Sequence, residues 1–244
     1  MLLYALPLPG QEPLPPSPTP LEVASLEAPA HLDDDSAIEP AGPAQPKNDR
    51  LFFVMPNYST VENSGRFRPA PLSAKAKFKL SAKTMSDPVT ISFLGTLALI
   101  GQARNTDSSY GQGFQGYAKR YGKLYADAGI GTLMTTSVFP TFLHQDPRYF
   151  QLGTGGKWHR LLYAAKQIFV TRGDAGETEF NYSEIVGNAV AAGISNTYHP
   201  QSQRTLGNTL NVWGTDILLN SLCNVAKEFW PDVRRKFHRQ KLRE

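Results

Sequence analysis

A chain of 244 residues with one cysteine can hold one large domain or two small ones, but no intramolecular disulfide and no thiolate metal cluster. Its formal charge of +4 is unevenly placed: residues 1–50 hold 11 of the 19 prolines and eight acidic residues against two basic ones, Lys47 and Arg50, which leaves the remainder at +10. A Pro-rich acidic stretch without hydrophobic periodicity cannot bury enough apolar surface to offset its ordering entropy, so it is excluded from the fold.

Residues 1–50 are therefore expected as a disordered leader, 51–70 as a linker, 71–235 as a helical domain and 236–244 as a basic tail. The first ten residues, MLLYALPLPG, lack the basic n-region and the full apolar core of a signal peptide. They read either as an ordinary apolar N-terminus or as the remnant of an export signal.

From residue 71 the periodicity is helical, and no alternating stretch argues for a strand. LSAKAKFKLSAKTM is a basic amphipathic segment. Asp87 then Pro88 gives a cap and first-turn proline, opening a helix whose residues 88–102 are uncharged. Fifteen residues fall short of the roughly 20 needed to span a bilayer, so this is a core helix or one lying in an interface.

YGQGFQGYAKRYGKLYAD, residues 110–127, contains G-x-G-x-x-G, but a polar loop precedes it where a dinucleotide-binding turn needs a strand. Tyr110, Phe114, Tyr117, Tyr121 and Tyr125 instead draw one stripe along a helix, with Lys119, Arg120 and Lys123 forming a wet basic side. Residues 128–143 are again uncharged, and Pro140 is expected to kink or end the helix. Asp146–Pro147 repeats the cap-and-proline signal of a short helix, and GTGGK lacks the spacing of a phosphate loop.

KWHRLLYAAKQIFVT places Trp158, Leu161, Leu162, Ala165, Ile168 and Phe169 on one expected buried face. TRGDAGETEF reads as a polar loop, and Asn181-x-x-Glu184 resembles a capping box. Ser183, Gly187, Ala191 and Ser195 then recur every fourth residue, with Ala189, Gly193 and Thr197 on a neighbouring line. Small residues at that spacing let helix backbones approach closely, a device used heavily in membranes and also in soluble bundles. In the last helix Leu210, Ile217, Leu218, Leu222, Val225 and Phe229 form the expected buried face, and Cys223 is expected as a small buried hydrophobe. Asn208, Asn211, Asp216, Asn220 and Asn224 line its other faces, and Pro231 is expected to stop it.

The best catalytic candidate is FLHQDPRYF, where His144, Asp146, Arg148 and Tyr149 crowd into six residues. His144 with Asp146 could act as a general base and Arg148 could hold an anion. The plainer reading, preferred here, makes Asp146 a cap, Arg148 its local partner and His144 the end of the preceding helix. The five histidines are scattered without H-x-x-x-H or H-E-x-x-H, so neither metal nor cofactor is expected. Nucleic acid is a weaker expectation than a membrane, because a basic tail after an amphipathic helix equally suits anionic headgroups and no RNA-binding signature is present.

PNYSTVEN, GYAKRYGKLYADAGIGTLMTTSVFPTFLHQDPRYF, IFVTRGDAGETEFNYSEIVGNAVAAGISNTYHP and KEFWPDVRRK together resemble an uncharacterised family of bacterial proteins predicted to be exported to the cell envelope. The resemblance spans roughly residues 51–237 and implies export behind a variable Pro-rich leader, but no activity and no site residues. A weaker likeness links NYSEIVGNAVAAGIS and KEFW to small envelope helix bundles.

The sequence thus predicts an all-α bundle of about five or six helices with Gly/Ala/Ser-rich packing faces. The expected function is a non-enzymatic envelope protein touching an anionic membrane surface or a partner protein through Tyr117, Lys119, Arg120, Tyr121, Lys123, Arg234, Arg235 and Lys236, with self-association as a further expectation. The alternative is a hydrolase or transferase of lipid or phosphate esters built on the His144–Arg148 corner.

Overall fold

The computed structural model describes residues 50–62, 69–106, 108–201 and 204–241, with side chains as far as residue 237. The expected leader, with His31, and the last three residues lie outside the described residues. Among the described residues the fold is an all-α bundle with short strands: α1 (Ala74–Met85), α2 (Pro88–Ala103), α3 (Gly113–Leu133), the single turn α4 (Phe139–Phe142), α5 (Lys157–Lys166), α6 (Tyr182–Tyr198) and α7 (Leu206–Lys241). The helix starts follow local chemistry. Ser73 Oγ accepts from Ala76 N, Asp87 Oδ1 from Val89 N at 2.9 Å, and Asn181 Oδ1 from Glu184 N at 3.1 Å. Asp87 also accepts from Arg50 and from the Tyr58 hydroxyl, and the Arg50 guanidinium above all holds its pKa down at about 2.

Seven short strands were not foreseen. β1 (Arg50–Leu51) pairs with β2 (Met55–Pro56), and β3 (Thr60–Val61) runs parallel to β5 (Tyr149–Phe150). A three-stranded antiparallel sheet joins β4 (Gln145–Asp146), β6 (Val170–Gly173) and β7 (Thr178–Phe180). Part of the expected linker is therefore sheet, TRGDAGETEF is a hairpin turning at Gly176 with φ +95, and Asp146–Pro147 opens no helix. Strands of two to four residues are too short to display an alternating pattern, which is why periodicity missed them.

The larger correction concerns which faces are buried. In α5 the buried residues are Arg160 and Ala164, while Trp158 is 79% exposed and Leu162 68%. In α7 Leu210, Leu218, Leu222 and Cys223 are exposed, and Pro231 does not stop the helix, which runs on to Lys241 through much of the expected tail. In α2 only Leu94 and Ala98 are buried, leaving Ile91, Phe93, Leu99 and Ile100 outside. The interior conversely holds Lys77, whose ammonium donates to Pro140 O and Asp174, and the Ser81–Ser137 pair at 2.6 Å. Apolar side chains face outward where sequence logic had them packing inward.

The aromatic helix is α3. Tyr117 and Tyr121 stack on each other, Tyr117 donating to Gly95 O of α2, and the Tyr125 hydroxyl donates to Met85 O. Phe114 is 85% exposed. Arg120, expected on the wet side, is buried and donates to Gln102 Oε1 and Gly111 O, closing the turn before its own helix. Of the small-residue line on α6, Ser183, Gly187, Ala191 and Ser195 are all buried, whereas Ala189, Gly193 and Thr197 face out. Gly187 is a genuine close approach. A Cβ there would lie 3.2 Å from Thr135 Cγ2 and 3.3 Å from Met134 C, in the five-residue π turn Met134–Val138 that joins α3 to α4.

One carboxylate ties the bundle together. Glu228, fully buried in α7, accepts from the Tyr149 hydroxyl at 2.9 Å, Leu152 N at 3.0 Å, Gly153 N at 2.9 Å and Arg160 Nε at 2.8 Å. Arg160 also pairs with Asp232 and donates through Nη2 to Glu228 O. Pro231 cannot donate to the carbonyl four residues earlier, Lys227 O, and Gln151 Nε2 supplies that missing donor at 2.6 Å. A proline here is therefore absorbed by a side chain from another segment. Glu228→Ala should cost about 3–5 kcal/mol in urea unfolding, because it strands a buried guanidinium and two amides. Exposed Glu177→Ala should change the midpoint little.

Candidate functional site: a polar cavity

α3, α6 and α7, with residues from α1 and α2, enclose a cavity of about 660 Å³. Its walls are polar at three levels. Asp127 comes from α3, Glu184 and Asn188 from the start of α6, and Asp216, Asn220, Asn224 and Lys227 from α7. These α7 positions fall in steps of three or four, the spacing that draws one stripe down a helix.

Asp127 is a hub at one end. It accepts from Ser195 Oγ, the Tyr198 hydroxyl and His199 Nε2, the last at 3.1 Å. Burial first, then the bond to Asp127, pushes the Tyr198 phenol up to about 12. Ser195 and His199 both bind the carboxylate instead of each other, so the three do not form a nucleophile–base pair.

Glu184 anchors the middle, accepting from Asn188 Nδ2 at 2.8 Å and Asn220 Nδ2 at 2.6 Å. It does not return the reciprocal bond of a capping box, since Asn181 N donates to Phe169 O. Burial raises its pKa, and the amides of Asn220 and Asn188 oppose the rise. Lys227, surrounded by protein, has its pKa lowered by burial, while its Nζ lies 3.5 Å from Ser59 Oγ and 6.0 Å from the Tyr149 ring centre.

Asp216 is different. Among the described residues it accepts no hydrogen bond and forms no ion pair. Burial raises its pKa to about 6, and the negative charges of Asp127 and Glu184 add to the rise. Ser183 Oγ, on a residue only 3% exposed, likewise lacks a hydrogen-bond partner and lines the same cavity.

The sequence-predicted catalytic corner does not converge. His144 is exposed with φ +54. Arg148 donates through Nε and Nη2 to Asp146, and Tyr149 donates to Glu228, so these three are committed to structure. Of the predicted contact residues, Lys119, Arg235 and Lys236 are exposed, Tyr117 and Tyr121 half-buried, and Lys123 lines the cavity. Arg234 lies 3.5 Å from Glu62. The cavity acids were passed over because Asp127 and Glu184 sit in apolar-looking helices and Asp216 was assigned an outer face; the signal was the polar stripe of α7.

Among the described residues no group of three or more His, Cys, Asp or Glu side chains could hold a metal ion, and no helix is long and apolar enough to cross a membrane. Compared with protein families, curated proteins and solved structures, the chain finds no match.

Asp216 makes a pH prediction with a definite sign. An unfolded Asp titrates near 3.8 and this one near 6, so between those values the folded chain holds the extra proton. Stability therefore falls as pH rises through that window and levels off above it. Asp216→Asn should raise the melting temperature by a few degrees at pH 7.5, about 1 kcal/mol after allowing for solvent on its open side. At pH 4 the difference should vanish, as read by calorimetry at both values.

Proposed function

We propose that this is a non-catalytic cell-envelope protein that lies on a membrane surface, presenting the outward apolar faces of its helices to lipid. The observation that carries this reading is the inverted burial of α5 and α7, with Arg160 and Glu228 inside and Trp158, Leu162, Leu218 and Leu222 outside. In water such a face is a liability, and large exposed apolar patches mark membrane or protein contact sites. Trp158 in particular has the amphipathic ring that settles at headgroup depth. Exposed Lys157, Lys166, Arg235 and Lys236 add attraction for anionic headgroups. The resemblance to exported envelope proteins supports the same location.

Co-sedimentation of the full chain with vesicles tests the reading. Binding to anionic vesicles is expected, stronger than to neutral ones, with a part that survives high salt because it is apolar. Trp158→Glu with Leu162→Glu should weaken it at least tenfold at unchanged helix content. Absence of binding to either vesicle, with the chain sedimenting as an oligomer, would overturn the lipid reading and assign these faces to a protein partner or a second copy.

A further inference from the structure

A cavity of about 660 Å³ lies in the size range of small-molecule sites. Its charges do not balance locally. Asp146 and Arg148 neutralise each other through a bidentate pair. Lys227 lies toward Ser59 and Tyr149 and is not an ion-pair partner of any cavity acid. Asp127 is held by Ser195, Tyr198 and His199, and Glu184 by two asparagine amides. Asp216 is left with carboxylate neighbours and no donor.

We propose that the cavity binds a small solute bearing a primary ammonium group, seated on Asp216 with Asp127 and Glu184 beside it. A half-buried carboxylate without a donor costs stability, and a chain under pressure only to fold would replace it with an amide. An ammonium offers three donors and one positive charge, which matches acceptors spread over three helices better than a metal ion does, since the acids do not converge on one point. The unpartnered Ser183 Oγ marks a second point of attachment, well inside the wall. Asn224, whose amide makes no hydrogen bond among the described residues, suits a hydroxyl on the same solute. The inference does not rest on membrane association, because every group in it faces the interior.

Isothermal titration of the full chain at pH 7.5 tests it with matched probes: putrescine against 1,4-butanediol and glucosamine against glucose. At least one amine should bind at least tenfold more tightly than its hydroxyl counterpart, and Asp216→Asn should erase the difference while melting no lower than the parent chain. Glu177→Gln, an exposed acid away from the cavity, should bind as the parent does. Vesicles of phosphatidylethanolamine and phosphatidylcholine distinguish a lipid-borne ammonium from a free one, since a preference for the former that Asp216→Asn removes places the amine on a headgroup. Failure of all the amines, free and lipid-borne, or binding indifferent to Asp216→Asn, would overturn the proposal.

Discussion

Everything outside Glu228 arranges itself around the need to keep that carboxylate satisfied away from water. Its four donors come from β5, the segment after it and α5, while its own backbone carbonyl takes a fifth bond from Arg160. An ion buried this deeply is tolerable only when every lone pair is met, and here two backbone amides do what a second cation would otherwise have to do. The hub also explains the proline beside it. Gln151 donates to the carbonyl that Pro231 abandons, so the segment after β5 is fastened to α7 twice, once through charge and once through a repaired helix.

The outward apolar faces follow from the same constraint by helix geometry. Residues two apart point to opposite sides, so fixing Arg160 inside turns Trp158 and Leu162 out together. On α7 the polar positions 216, 220, 224 and 228 advance in fours along the inner side, and Leu218 and Leu222, two residues from their neighbours, fall on the outer one. A bundle organised this way spends its polar side chains on its interior and cavity. It then needs something apolar outside, and an acidic chamber within follows from the same choice.

The sequence made the helices legible because their caps are local. Asp87–Pro88 and Asn181 announce α2 and α6 through chemistry confined to a few residues. The Gly187 contact was foreshadowed by the four-residue spacing of small residues. What could not be read was orientation. An amphipathic pattern marks two faces and does not say which meets the core; the usual assumption puts leucine inside, and the partners of Arg160 that reverse it lie 68 and 72 residues away. The strands were invisible for their shortness, and the cavity because Asp127, Glu184 and Asp216 are scattered over 90 residues and meet only through folding.

The π turn at Met134–Val138 makes one part of this chain sensitive to length more than to identity. Such a turn holds one residue more than an α-helical path would, and its closing bond runs from Phe139 N back to Met134 O. Deleting a single residue there restores ordinary helix and swings all that follows by about 100° around the axis. Pro140 would leave the Lys77 ammonium that its carbonyl receives, and β4 would lose its line of entry beside β6. The surface against Gly187, close-fitted as it is, would present a different side chain to α6. Between α3 and β4 the chain can change its letters far more freely than its count.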